Sequence, residues 1–199
     1  MVNDFFNTQN LPTRGDTTTA MSPLSQAIEP DWSREHPRKL WDPTRRLLKC
    51  IRRWQALQDR RGVFARIARR YWSLQHLFWG IVTQCELPLA TQIGGGLLLP
   101  HPNGIVVHPG TSIGPNCLIM NQVTLGQGNA GGVPVIGGWV YFAAGARVIG
   151  NITIGDFSIV GLNCVLMQDV PAGGVAVGVP ARIRVDPSRL PGNNGTGAS

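Results

Sequence analysis

The sequence predicts a mainly β chain, a parallel β-helix of hexapeptide repeats preceded by a short α-helical segment, and three observations predict it. An aliphatic or aromatic residue recurs at every sixth position, a small or β-branched residue follows each one by four, and the stretch before this pattern carries its apolar residues at helical spacing instead. The leading positions Ile136, Phe142, Val148, Ile154, Val160 and Leu166 are in strict register, and the same period runs upstream through Val107, Ile113, Ile119 and Leu125. The second positions are Val140, Ala146, Ile152, Ser158, Cys164 and Val170, with Thr111, Cys117, Val123 and Asn129 upstream, where only Asn129 fails. Gly follows the leading residue at Gly114, Gly126, Gly137, Gly155 and Gly161, so each unit reads as a short strand and a corner. Three such units close a triangular coil whose inward residues stack on those above and below.

The remaining segments follow in chain order. With 199 residues the chain is long enough for one sizeable core with a small appendage. Residues 1–33 are polar, Thr-rich and irregular, and read as a disordered tail. Residues 34–85 read as a basic amphipathic helical segment: Leu47, Leu48, Ile51 and Trp54 recur at helix spacing, as do Phe64, Ile67, Tyr71, Leu74, Phe78 and Ile81 after Gly62. Residues 86–185 hold the repeats, and 186–199 again read as a disordered tail.

Thirteen of the 18 Lys and Arg residues fall between Arg34 and Arg70, so the formal charge of +7 sits almost entirely on the helical segment. A solvated face is the plain interpretation. Peripheral contact with an anionic membrane is the next, because Trp41, Trp54, Trp72 and Trp79 suit a headgroup boundary. No nucleic-acid motif accompanies the charge, and no nucleic-acid partner is expected. The N-terminus MVNDFFNTQN lacks a basic segment followed by an apolar core, so the expected location is cytoplasmic, with membrane association as the variant. Cys50, Cys85, Cys117 and Cys164 show no CxxC spacing and read as free thiols, with no metal site expected.

The interruptions of the repeat carry the functional signal. From Leu99 to Val107 the step is eight residues, and from Leu125 to Ile136 it is eleven. Loops thrown out from a rigid solenoid are where sites are built. The first interruption contains His101, set between two prolines in LLLPHPNGIVV; the second is the Gly-rich QGNAGGV.

The phrases HPNGIVVHPGTSIGPNCLIMNQVTLGQGN, AAGARVIGNITIGDFSIVGLNCVLMQDVPAG and AVGVPARI resemble the hexapeptide-repeat acyltransferases, and specifically a short form of the serine acetyltransferases. The resemblance covers about Glu86 to Arg184. It implies a left-handed β-helix, a homotrimer, and acetyl-CoA as co-substrate in the groove between subunits. It also implies His101 as the catalytic base, since an imidazole can take the proton of an attacking hydroxyl. Glu86 aligns with the family's aspartate and is implied as the group that orients the imidazole, while Pro100 replaces the aspartate that directly precedes the family histidine. His108, seven residues on, is the rival base and reads as a spectator. For acetyl-CoA the resemblance points to Gly126 and Gln127 at the thioester end, to Ala143, Ala144 and Gly161 as close backbone approaches, and to Arg147 and Arg182 for the phosphates.

The implied activity is O-acetylation of a hydroxyl, L-serine giving O-acetylserine for cysteine biosynthesis. Two departures keep a sugar or exopolysaccharide hydroxyl as the alternative acceptor: the family's Arg-His pair in the loop is replaced by Gly132 and Val133, and the helical lead is short. The terminal GTGAS replaces the isoleucine that docks into the next enzyme of cysteine synthesis, so no cysteine synthase complex is expected. A reading of a different class is a non-catalytic β-helix scaffold that docks a partner through its basic helices.

Overall fold

A computed structural model describes residues 28–191; most of the expected N-terminal tail and the end of the C-terminal one, residues 1–27 and 192–199, lie outside the described residues. Among the described residues two α-helices, α1 (Pro43–Gln55) and α2 (Val63–Thr83), precede thirteen short strands. These are β1 (Gln92–Ile93), β2 (Val106–Val107), β3 (Ser112–Ile113), β4 (Leu118–Ile119), β5 (Thr124–Gly126), β6 (Val135–Ile136), β7 (Tyr141–Phe142), β8 (Arg147–Ile149), β9 (Thr153–Ile154), β10 (Ile159–Val160), β11 (Val165–Leu166), β12 (Gly174–Val177) and β13 (Arg182–Val185).

Consecutive strands never pair until the last two. Instead the chain deals its strands in turn onto three sheets, ordered β1-β3-β6-β9, β11-β8-β5-β2 and β13-β12-β10-β7-β4. Every pairing is parallel except β12 with β13. This is the left-handed parallel β-helix, and the leading residues of the hexapeptides form its interior: all ten, from Val107 to Leu166, are no more than 3% exposed. Stacking like on like down the axis buries each apolar side chain against the next coil, so no separate layer is needed to cover the sheets.

Corners impose their own chemistry. Asn116 and Asn163 take left-handed backbone conformations there, which the short Asn side chain tolerates well, and Gln122, Trp139 and Phe157 adopt the same conformation. At Gly114 the reason is space, because a Cβ would lie 2.4 Å from the Gly137 carbonyl carbon of the next coil.

The helical segment closes the N-terminal end of the coil. Asp42 caps α1 by accepting the Arg45 N–H, with Pro43 opening the helix, and Leu47, Leu48, Cys50 and Ile51 are buried. Glu35, 8% exposed, is the latch: its Oε1 accepts the N–H groups of Gly96 and Leu97, and both its oxygens accept from Arg52, at 2.7 and 3.0 Å. Arg52 also donates to the carbonyls of Ile93 and Gly94. Part of the basic cluster is therefore structural, where the sequence suggests a solvated face. On α2, His76 bonds through Nε2 to the Leu87 carbonyl at 2.8 Å, fixing where the coil starts.

Residues 28–33, assigned from the sequence to the tail, are held against the coil. Asn116 accepts the Asp31 N–H and donates to the Glu29 carbonyl, and Trp32 occupies the space where a Cβ on Gly95 would stand. These contacts use a backbone glycine and an amide side chain, neither of which leaves an apolar period to read. Pro187–Arg189 likewise form a short 3-10 turn capped by Asp186. Among the described residues no helix is long and apolar enough to cross a membrane.

Candidate active site

The site is built where the end of α2 meets the first complete coil. Gln84 ends α2 in a left-handed conformation, and its carbonyl accepts the Gly104 N–H at 2.8 Å. The Asn103 side chain donates to Gln84 Oε1 and accepts from Gln122 Nε2, while the Gln122 N–H reaches the Asn103 carbonyl at 2.9 Å. A short loop, residues 100–104, is thus pinned to the helix end and to the coil beneath. His101 is exposed on this loop. It lines an open hollow of about 340 Å³ whose other walls are Pro43, Thr44, Val82, Thr83, Gln84, Pro100, Pro102 and Asn103.

Glu86 stands one layer above β2. Its backbone bridges to Val106, and the registers place it at the head of an outward row that continues through Val106, Thr124, Arg147 and Val165. Among the described residues no hydrogen bond or ion pair joins the exposed Glu86 carboxylate to His101. His108 is spent locally, its Nδ1 accepting the Gly110 N–H at 3.1 Å within its own turn.

The residues expected to meet acetyl-CoA separate into three places. Ala143, Ala144 and Gly161 lie on the corner directly below the His101 loop, where successive coils are joined by bonds from Gly145 N–H to the Asn121 carbonyl and from Asn163 N–H to the Ala144 carbonyl. Gly126 and Gln127 lie across the β2–β5–β8–β11 sheet, at the mouth of the Gly-rich loop that also holds Gly132 and Val133. Arg147 sits in the outward row between them. One of its nitrogens is committed to the protein, donating to the Gln122 carbonyl and to Thr124 Oγ1. Arg182 is exposed on β13, in register with Val177.

Burial decides what the thiols can do. Desolvation pushes Cys50 up to about 11 and Cys85 and Cys117 up to about 12, Cys85 with the further opposition of the neighbouring Glu86 carboxylate, and it raises Cys164 as well. None supplies a thiolate near neutral pH. The residues that the sequence did not reveal are the polar ties Gln84, Asn103 and Gln122 and the latch Glu35–Arg52; single polar side chains bonded across long sequence separations leave no periodic trace.

No protein-family model matches the chain. A serine acetyltransferase of Helicobacter pylori strain J99 is 38% identical over 138 residues, 68% of this chain and 77% of that protein. Among solved structures, a soybean serine acetyltransferase complexed with serine superposes with a TM-score of 0.64 at 29% identity, covering 82% of this chain and 70% of that one. A serine acetyltransferase in complex with CoA superposes with a TM-score of 0.61 at 27% identity, covering 73% of this chain and 58% of that longer protein. With 38% identity over more than two thirds of the Helicobacter pylori protein, the chain belongs to the serine acetyltransferase family.

Proposed function

We propose that the protein transfers the acetyl group of acetyl-CoA to the hydroxyl of L-serine, with His101 as general base. The observation that carries this is the seat of the imidazole: exposed, on a loop tied to both α2 and the coil, at the rim of a hollow of about 340 Å³. His101 takes the hydroxyl proton as the oxygen attacks the thioester carbonyl carbon, forming the C–O bond. Collapse of the tetrahedral adduct breaks the C–S bond, and the departing sulfur recovers the proton from the imidazole, leaving CoA thiol, an O-acetyl ester and a neutral histidine. Positioned proton transfer of this kind is worth about 10²–10⁴-fold in rate. The high thiol pKa values argue against a covalent acetyl-cysteine route.

Glu86 is proposed to orient the imidazole once acceptor and cofactor are bound, since catalytic hydrogen bonds are often open in the free enzyme. Acetyl-CoA would run down the corner beneath His101, where Ala143, Ala144 and Gly161 let its chain approach the backbone. Gly126 and Gln127 would face the thioester, and Arg147 and Arg182 would offer donors to phosphate. A homotrimer, with the cofactor in the groove between neighbouring coils, is the proposed working unit. The complexes of related enzymes with CoA and with serine support both ligand classes.

One observation favours a second reading. The hollow beside His101 has no Lys or Arg in its walls, and Gly132 and Val133 add none from the loop. An amino-acid carboxylate is held best by a bidentate cation, whereas a saccharide hydroxyl needs none. Thiol release from acetyl-CoA, measured with L-serine against nucleotide sugars and oligosaccharides, separates the two. Serine-dependent release that His101→Ala abolishes supports the first reading; release with saccharides alone replaces it with the second. No release with any acceptor supports a scaffold and overturns both.

A further inference from the structure

The turn between α2 and the coil holds a residue whose backbone suits a glycine. Gln84 lies at φ 53° and ψ 41°, in the left-handed region. The helix closes there by bonds from the Gln84 N–H to the Ile81 carbonyl and from the Cys85 N–H to the Gly80 carbonyl, at 3.3 and 3.2 Å. Gly ordinarily takes this position after a helix, because a Cβ crowds the following carbonyl. Among the described residues five other non-glycine residues share the conformation, all at coil corners, so Gln84 is the case at a helix end. Packing does not account for the choice, since the side chain is exposed. Its amide does: Oε1 accepts from Asn103 while the Gln84 carbonyl accepts from Gly104, so two successive residues of the His101 loop hang on one residue.

The loop is closed from the other side as well. Gln122 Nε2 donates to Asn103 Oδ1 at 3.0 Å, and a Cβ on Gly104 would stand 2.5 Å from that nitrogen, so the loop rests on Gln122 without a gap. Along the chain Gln84 is two residues before Glu86, and Asn103, which it grips, is two residues after His101. Glu86 is itself fixed by its N–H on the Ile105 carbonyl and by its carbonyl on the Val107 N–H, at 2.8 and 2.9 Å, while His76 of α2 holds the adjacent Leu87 carbonyl. We propose, resting on the general-base reading of His101, that Gln84 is a positioning residue. Its side chain sets where the imidazole stands relative to Glu86, and the unfavourable backbone is kept for that bond. An amide bond open to water contributes little to folding, whereas a group misplaced by about 1 Å can cost catalysis about 10²-fold. Stability and turnover therefore pull in opposite directions at this residue.

Gln84→Gly separates the two. The variant relaxes the backbone and removes the tie, so the melting temperature is expected to hold or to rise by about 2–4 °C. Over the same change kcat is expected to fall about 10- to 100-fold, with the KM values for acetyl-CoA and acceptor as in the wild type. Gln84→Glu keeps an acceptor oxygen at the same reach and is expected to retain most of the wild-type kcat. Thiol release from acetyl-CoA, with the acceptor that supports it in the wild type, supplies the kinetics. Unchanged kcat in Gln84→Gly overturns the proposal, as does a loss of kcat accompanied by a lower melting temperature, the mark of a structural role. A higher acceptor KM at unchanged kcat assigns Gln84 to acceptor binding and also overturns it. Gln84→Glu as impaired as Gln84→Gly rules out the tie through Oε1. His101→Ala tells the two failures apart. Release that needs His101 and ignores Gln84→Gly strikes the positioning role alone; release indifferent to His101→Ala, or none in the wild type, strikes the general base and the positioning role with it.

Discussion

The coil interior and the outer face of α2 are both apolar and both periodic, yet they end in opposite environments. Inside the coil each residue of the six-step pattern meets its counterpart one turn above and below, and Phe142 is 0% exposed. On α2 an equally regular pattern faces nothing among the described residues, and Phe64 is 89% exposed there. Periodicity states which side chains point the same way; whether they are covered depends on what the topology brings opposite. A solenoid supplies its own cover because the repeat is also the packing partner. A lone amphipathic helix does not.

Five measurements break or sharpen that contrast, in decreasing order of expected effect. His101→Ala removes a group that belongs to neither apolar set: acetyl transfer should fall about 10²–10⁴-fold while the melting temperature stays within a degree or two of wild type. A parallel loss of stability would show that the loop, and not the imidazole, was needed. Phe142→Ala opens a cavity in the stack and should cost about 3–5 kcal/mol in chemical denaturation. Glu35→Ala breaks the tie between the two regions, stranding the Gly96 and Leu97 N–H groups and the Arg52 guanidinium. About 2–4 kcal/mol is expected, somewhat below the loss for a fully buried pair because Arg52 keeps some solvent.

Alkali should act through the interior thiols. Cys85 and Cys117 are pushed from an ordinary value of 9.0 up to about 12, so the folded state binds protons more tightly than the unfolded one. Their contribution is complete below pH 9 and is lost as pH rises from there toward 12. Denaturation midpoints at pH 8, 10 and 11 should therefore fall progressively, and less so in Cys117→Ala relative to its own value at pH 8. Phe64→Ala is the smallest change: the same substitution as in the coil, at a solvent-facing position, should leave the folding of the isolated chain within about 0.5 kcal/mol of wild type.

The same contrast explains how much the sequence disclosed. The six-residue period identified the inward column residue by residue, because burial there is dictated by position in the repeat. His101 was legible as an irregularity, a step of eight where six was due, and the loop it marks does project beside a hollow. What holds that loop was not legible. The Gln84–Asn103–Gln122 ties and the Glu35 latch join residues up to 62 positions apart through single polar groups, and nothing local distinguishes such a group from a solvated one. The docking of residues 28–33 was missed for a related reason, since Gly95 and Asn116 receive them on the coil, far from the segment itself.

The reversal of β13 against β12 has a consequence for chain growth. A parallel solenoid ends in a rung that is a template for one more rung, from its own chain or another's, and is in that sense a polymer with a live end. Here the last strand returns in the wrong direction, pairing Val177 with Arg182 and Gly174 with Val185. The edge it leaves carries Arg182 and Arg184, and charge on an outer strand discourages further pairing. Among the described residues this sheet of the coil thereby ends on a reversed, charged edge, which disfavours the addition of a further rung from another chain and hence growth into a fibre.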